Sequence, residues 1–200
     1  MIVIKPVHHL LRFIFIDRTG DSNVYSPKWS LTDLFHELDD VPLGLGDSML
    51  RDRRGKHTPW WLWSDPTAPE EFVEIVERVA LPKLRAIQTL QDYLKFALPT
   101  SPLTLKYFWG MQIFVSIAMG DLDAVREVFK SNLDAAKYRG LDKYKPGSTN
   151  RLIERGRGLG ADDRAELARL LHEWEGHTVK KLKLDNIWQQ TPFPIELQSA

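Results

Sequence analysis

A chain of 200 residues with 27 Lys+Arg against 27 Asp+Glu, no cysteine and 43% hydrophobic residues has the composition of an ordinary globular protein. The missing thiols exclude iron–sulfur ligation, cysteine-based zinc fingers, thioredoxin chemistry and a cysteine nucleophile, and the zero net charge leaves no overall electrostatic footprint for nucleic acid. At this length roughly 70% of the extended-chain surface leaves water on folding, so a core needs neither disulfides nor a structural metal.

Met1 to Ile16 interrupts its apolar residues with Lys5, Pro6, His8, His9 and Arg12, which is not the pattern of a signal peptide. The apolar run from Tyr107 to Met119 is too short to cross a bilayer. No fixed repeat is present, and the default compartment is cytoplasmic. The pattern predicts a single α+β domain over residues 1–200, mainly β over 1–66 and mainly α over 67–200: a small antiparallel sheet in the N-terminal third, packed against helices that include an αα-hairpin.

Val7 to Ile16 reads as a strand with Leu11, Phe13 and Phe15 on one face and Leu10, Arg12, Ile14 and Ile16 on the other. The turn chemistry of 17–23 then leads into the alternating run Val24 to Leu31, making a hairpin. Pro27 cannot donate to a ladder, so its strand is expected at an edge or paired on one side at that point. Ser30-x-x-Asp33 predicts a cap for one helical turn through Leu34, Phe35 and Leu38. Trp60 to Trp63 forms a third strand that wants cover on both faces.

Thr67-x-x-Glu70 predicts a capping box for a helix that breaks at Leu81-Pro82, and Thr89-x-x-Asp92 predicts a second. A helix from about Leu103 to Met119 closes at Gly120, and Asp121 caps its hairpin partner, which buries Leu122, Val125, Phe129, Leu133 and Ala136. A Gly- and Lys-rich connection over 141–160 is expected to be flexible. A last helix over 161–184 has Leu167, Leu171, Trp174, Thr178 and Leu182 on one face, and Phe193 in the tail packs back.

Chemistry-bearing patterns are sparse. His172-Glu173-Trp174-Glu175-Gly176-His177 resembles the HExxxH signature of dipeptidyl-peptidase-III-like zinc peptidases, in which His172 and His177 would be ligands and Glu173 the base. Five residues turn a regular helix by about 140°, so this needs a bulge, for which Gly176 is suited; the bland reading is a pair of surface or capping histidines. His8 and His9 fall on opposite faces of a strand and do not chelate together. Gly156 to Gly160 lacks the Lys-Ser/Thr of a phosphate loop and reads as a hinge. No catalytic centre and no cofactor emerges. The densest surface candidate is Arg51, Arg53, Arg54, Lys56 and His57 beside Trp60, Trp61 and Trp63, a cationic–aromatic set suited to a protein partner or, alternatively, to single-stranded nucleic acid.

Arg12 to Arg18, Ala80 to Ile87, and Leu184 through Thr191-Pro192-Phe193-Pro194-Ile195-Glu196 together resemble a family of small bacterial proteins with a domain of unknown function. They are similar, more distantly, to α+β immunity-type proteins encoded beside secreted toxins. The resemblance implies a non-enzymatic protein-interaction module and carries over no functional residues; the balanced charge departs from the acidic balance of immunity proteins against nucleases. The alternative is a metal-dependent hydrolase using His172, Glu173 and His177.

Overall fold

Alternating apolar residues on either side of an Asp- and Gly-rich turn fold into a long antiparallel hairpin, β2 (Leu10–Arg18) with β3 (Val24–Asp33). Asp21 Oδ1 accepts from the Asn23 N–H at 2.8 Å inside the turn. The computed structural model describes residues 1–35, 44–53, 55–97, 102–128, 130 and 164–198. They are α+β, and they divide into two compact units. Unit 1 comprises Met1–Leu34, Leu38–Tyr93 and Val179–Gln190, and unit 2 comprises Phe35–Glu37, Leu94–Thr178 and Thr191–Ala200.

In unit 1, β1 (Ile2–Ile4) lies outside β2, while β3 is flanked on its other side by β4 (Leu45–Ser48) and β7 (Trp61–Leu62). The strand carrying Pro27 is therefore central, and it is the second alternative that holds: at Pro27 the ladder pairs on one side only, with Ile16. Pro27 sits in the gap between the rungs of β4 and those of β7, where its carbonyl accepts from the Met49 N–H at 2.8 Å. A residue's N–H and C=O point to the same side of a strand, so the missing donor costs no rung. Gly46 in β4 approaches the Trp29 carbonyl so closely that any Cβ would collide with it. The expected Ser30-x-x-Asp33 cap is overridden by the ladder: Asp33 pairs with Leu10, and Ser30 Oγ donates to the Leu45 carbonyl at 3.3 Å; Leu38, in the helical turn that this cap is expected to start, lies outside the described residues. A separate two-stranded hairpin, β5 (Arg51–Arg53) with β6 (Lys56–Thr58), turns through Gly55 at φ 76°.

Both faces of β2–β3 are buried. Leu10, Arg12, Ile14, Tyr25, Trp29, Leu31 and Asp33 share the face covered by α1 (Ala68–Ile75), a π turn (Val76–Ala80), α2 (Leu81–Ala86) and the start of α3 (Leu90–Ala97). Lys83 lies over Trp29, and the Tyr93 hydroxyl donates to Asp33 at 3.4 Å; burial first, and the Asp33 charge second, raise the phenol pKa. Arg12, 6% exposed, donates to the carbonyls of Pro6, Ile87 and Leu84, tying the strand to the end of α2. The helix does not break at Pro82. The π turn widens the carbonyl spacing ahead of the proline ring, and the Leu81 N–H reaches back to the Val76 carbonyl. Nor does Thr67 form the expected box, whereas Thr89 and Asp92 bond reciprocally (Asp92 N to Thr89 Oγ1, 3.1 Å; Thr89 N to Asp92 Oδ2, 3.0 Å).

The opposite face carries Leu11 and Phe13, which pack with Val7, Leu34, Val179 and Leu184, flanked by Val3, Phe15, Leu182, Ile187 and Trp188. Val7 is not part of β2; it bridges to Trp188 in parallel.

Unit 2 contains α4 (Pro102–Met119), closed by Gly120 at φ 77°, and α5 (122–128), capped by Asp121 Oδ1 accepting from Ala124 N at 3.0 Å. Leu122 and Val125 of α5 are buried. Most of α6 (Arg164–Lys181) belongs here, with Leu171, Trp174 and Thr178 buried and Trp174 edge-on to Phe114. Phe193 is fully buried at the start of α7 (Pro194–Leu197). Phe129, Leu133, Ala136, Arg54, the 141–160 connection and the Gly156 to Gly160 turn lie outside the residues whose side chains are described.

The end of α6 is a Schellman turn. Leu184 N reaches the Val179 carbonyl (2.9 Å) and Lys183 N the Lys180 carbonyl (3.1 Å), with Val179 and Leu184 in one apolar cluster. The residue that must be left-handed is Lys183, at φ 56°. Lys183→Gly is expected to raise the unfolding free energy by about 0.5–1 kcal/mol, read by urea denaturation; equal or lower stability would contradict strain at this position.

Candidate functional site

The cationic–aromatic segment separates into an interior and a surface. Arg51 is 1% exposed. Its guanidinium makes a fork to Glu71 (Nε to Oε2, 2.6 Å; Nη2 to Oε1, 2.5 Å), donates to Asp65 Oδ2 at 2.9 Å, and reaches Thr67 Oγ1 at 3.1 Å. Thr67 is drawn into this network, within 2.9 Å of Asp65 Oδ1 and 2.8 Å of Glu71 Oε1, which is why it does not cap α1. The guanidinium lies 4.6 Å over the ring of Trp61. Trp61 is fully buried, donates its indole N–H to the Met49 carbonyl at 3.0 Å, and meets Phe72 of α1 edge-on. Neither Arg51 nor Trp61 offers a surface to a partner.

Hydrogen bonds from Arg51 first, and from Thr67 second, hold the Glu71 carboxyl down at a pKa of about 2. Burial raises the Tyr25 phenol beside the same network.

The surface half is aromatic. Trp63 stacks on Tyr25 with ring centroids 4.0 Å apart and yet is 55% exposed; Trp60 is 58% exposed. Tyr25 is itself buried and next to Trp61, so Trp63 stands on a rigid base. Leu62 and Val73 are also exposed, so the tryptophan strand is covered on the Trp61 side only, not on both faces. In the β5–β6 hairpin Lys56 and His57 are exposed, while Arg53 pairs with Asp65.

In unit 2 the histidine motif sits on regular helix, with no bulge at Gly176. His172 Nε2 is 2.9 Å from Glu196 Oε2, and Nδ1 is 3.6 Å from the buried Glu175; His177 is exposed, and Glu173 pairs with Arg169. Glu196 also accepts from the Phe193 N–H at 2.6 Å, so the histidine helps to seat the tail. Among the described residues no group of three or more His, Asp or Glu side chains is placed to hold a metal ion. In unit 1, His8 Nδ1 donates to the Gln189 carbonyl at 3.2 Å, a structural bond that fixes its tautomer.

No known family, curated protein or solved structure matches this chain. The partners of Arg51 are the residues that sequence reasoning missed: Asp65, Thr67 and Glu71 lie 14 to 20 positions away, and no local spacing links them to it.

Truncating Arg51 empties a buried site, takes the forked cation from Glu71 and leaves Asp65 with Arg53 alone, so Arg51→Ala is expected to destabilise unit 1 by about 3 kcal/mol in chemical denaturation. Because the folded pKa of Glu71 lies below its ordinary value of 4.5, its contribution is whole above about 4.5 and is lost as pH falls toward 2. Urea midpoints in that window should drop less steeply for Glu71→Gln than for the unchanged chain; parallel curves would show that Glu71 is not the titrating group.

Proposed function

We propose that this protein is a non-enzymatic protein-interaction module, of the bacterial immunity type its sequence resembles, and that Trp60 and Trp63 anchor the partner beside the Lys56–His57 hairpin. The observation that carries the reading is Trp63, stacked at 4.0 Å on a buried tyrosine and still 55% exposed. A large ring held in place before contact loses little freedom on binding, which is the property of interface hot spots. The exposed Trp60, Leu62 and Val73 extend the apolar area on the same unit.

The single-stranded nucleic-acid alternative draws less support, since Arg51 and Arg53 are both engaged with carboxylates. A metal-dependent hydrolase draws less still, because His172 is committed to Glu196 and α6 keeps a regular course through His177.

The test is a comparative pull-down at high salt with the tagged full chain and its Trp60→Ala/Trp63→Ala variant. A partner retained at stoichiometric level by the first should be lost from the second, each anchor being worth about 2 kcal/mol of binding. The variant should unfold at a lower urea concentration, by about the 1 kcal/mol that the Trp63–Tyr25 stack supplies, and remain folded under the conditions of the pull-down. Equal capture by the two would remove these tryptophans from the interface.

A further inference from the structure

Strand register in unit 1 sets Ile2, Ile16 and Arg18 on the same face as Tyr25, Trp61 and Trp63, the face that the helices cover farther along the sheet. Toward the β2–β3 turn that cover thins out. Ile2 is 53% exposed, Ile16 44% and Trp63 55%, with Arg18 exposed among them. Ile2 lies diagonal to Ile16 across β1 and β2, Arg18 stands opposite Tyr25, and Trp63 rests on Tyr25, so these side chains form one band across β1, β2, β3 and β7. Asp21 closes the band at the turn: its Oδ1 accepts from the Asn23 N–H at 2.8 Å, and the Asn23 carbonyl accepts from the Trp63 N–H at 3.1 Å. Among the described residues neither Arg18 nor Asp21 meets an opposite charge within ion-pair distance.

Large apolar groups exposed side by side mark a contact surface, and the two charges select what it contacts. They cancel, so the band has no net attraction for a polyanion, whether nucleic acid or an anionic membrane. A neutral lipid layer would take the guanidinium and the carboxylate out of water and offer neither a partner. An unrelated protein would have to bring a carboxylate and a cation at matching places. A second copy turned about a twofold axis brings both by symmetry, because Arg18 of each copy can meet Asp21 of the other.

We propose that this band is the face through which two copies of the chain pair about a twofold axis, with Ile2, Ile16 and Trp63 packed between them and Arg18 and Asp21 making two reciprocal ion pairs. It rests on the reading of Trp63 as an interface anchor and names the partner as a second copy. Three half-exposed apolar side chains per copy make a small interface, so the dimer is reversible and forms as concentration rises.

Sedimentation velocity on the full chain, from about 1 to about 300 µM, reads the proposal directly. The sedimentation coefficient should climb from that of a monomer toward that of a dimer. Ile16→Asp and Trp63→Ala should each weaken association at least about tenfold. Arg18 is exposed, so Arg18→Glu leaves the fold intact; it should also weaken association at least about tenfold, and the exchange Arg18→Glu/Asp21→Arg should restore it to within about threefold of the unchanged chain. A chain that stays monomeric throughout, association indifferent to Ile16→Asp or Arg18→Glu, or an exchange that fails to restore it would overturn the dimer and leave Trp63 to the pull-down. A dimer indifferent to Trp63→Ala would remove that tryptophan as an anchor and the proposal with it.

Discussion

A guanidinium taken out of water must recover its hydrogen bonds or the fold loses several kcal/mol, and at Arg51 this requirement organises half of unit 1. The side chain leaves the first strand of a small hairpin, lies flat on Trp61 and gathers Asp65, Thr67 and Glu71. Those three belong to the turn before α1 and to its first turns, so one cation fixes how the helix approaches the sheet. Phe72, one residue beyond Glu71, then falls edge-on to the same tryptophan. Charge satisfaction and aromatic packing are thus two aspects of one arrangement.

The exposed tryptophan inherits its order from this interior. Trp61 and Tyr25 are adjacent in the ladder and buried, and Trp63 comes to rest on Tyr25. What faces solvent is the last ring of a series whose other members are held by the core.

The β2–β3 hairpin was legible in the sequence because alternation and turn chemistry agree there, and both faces of β2 were assigned as they stand from Leu10 onward. The Thr89–Asp92 cap and the close at Gly120 were legible for the same reason, local chemistry with no competitor. Ser30-x-x-Asp33 and Thr67-x-x-Glu70 carry equally good local signals that tertiary partners override, the first through the strand ladder and the second through Arg51. The candidate site was legible as a place but not as a set of roles. Arg51 and Arg53 look alike in a basic run, and only carboxylates distant in the chain draw one inside and leave the other half-exposed.

The π turn at Val76–Ala80 acts as a register slip in an otherwise continuous helical segment. One residue corresponds to about 100° of helical rotation. Upstream of the slip, Glu71 and Phe72 face Arg51 and Trp61; downstream, Lys83 lies over Trp29, and the carbonyls of Leu84 and Ile87 reach Arg12. An unbroken α-helix of the same course would turn one of these sets away from the sheet. Segment length between Ile75 and Leu81 is therefore fixed as firmly as any core side chain: a chain shortened by one residue there would keep one of Arg12 and Arg51 anchored and release the other.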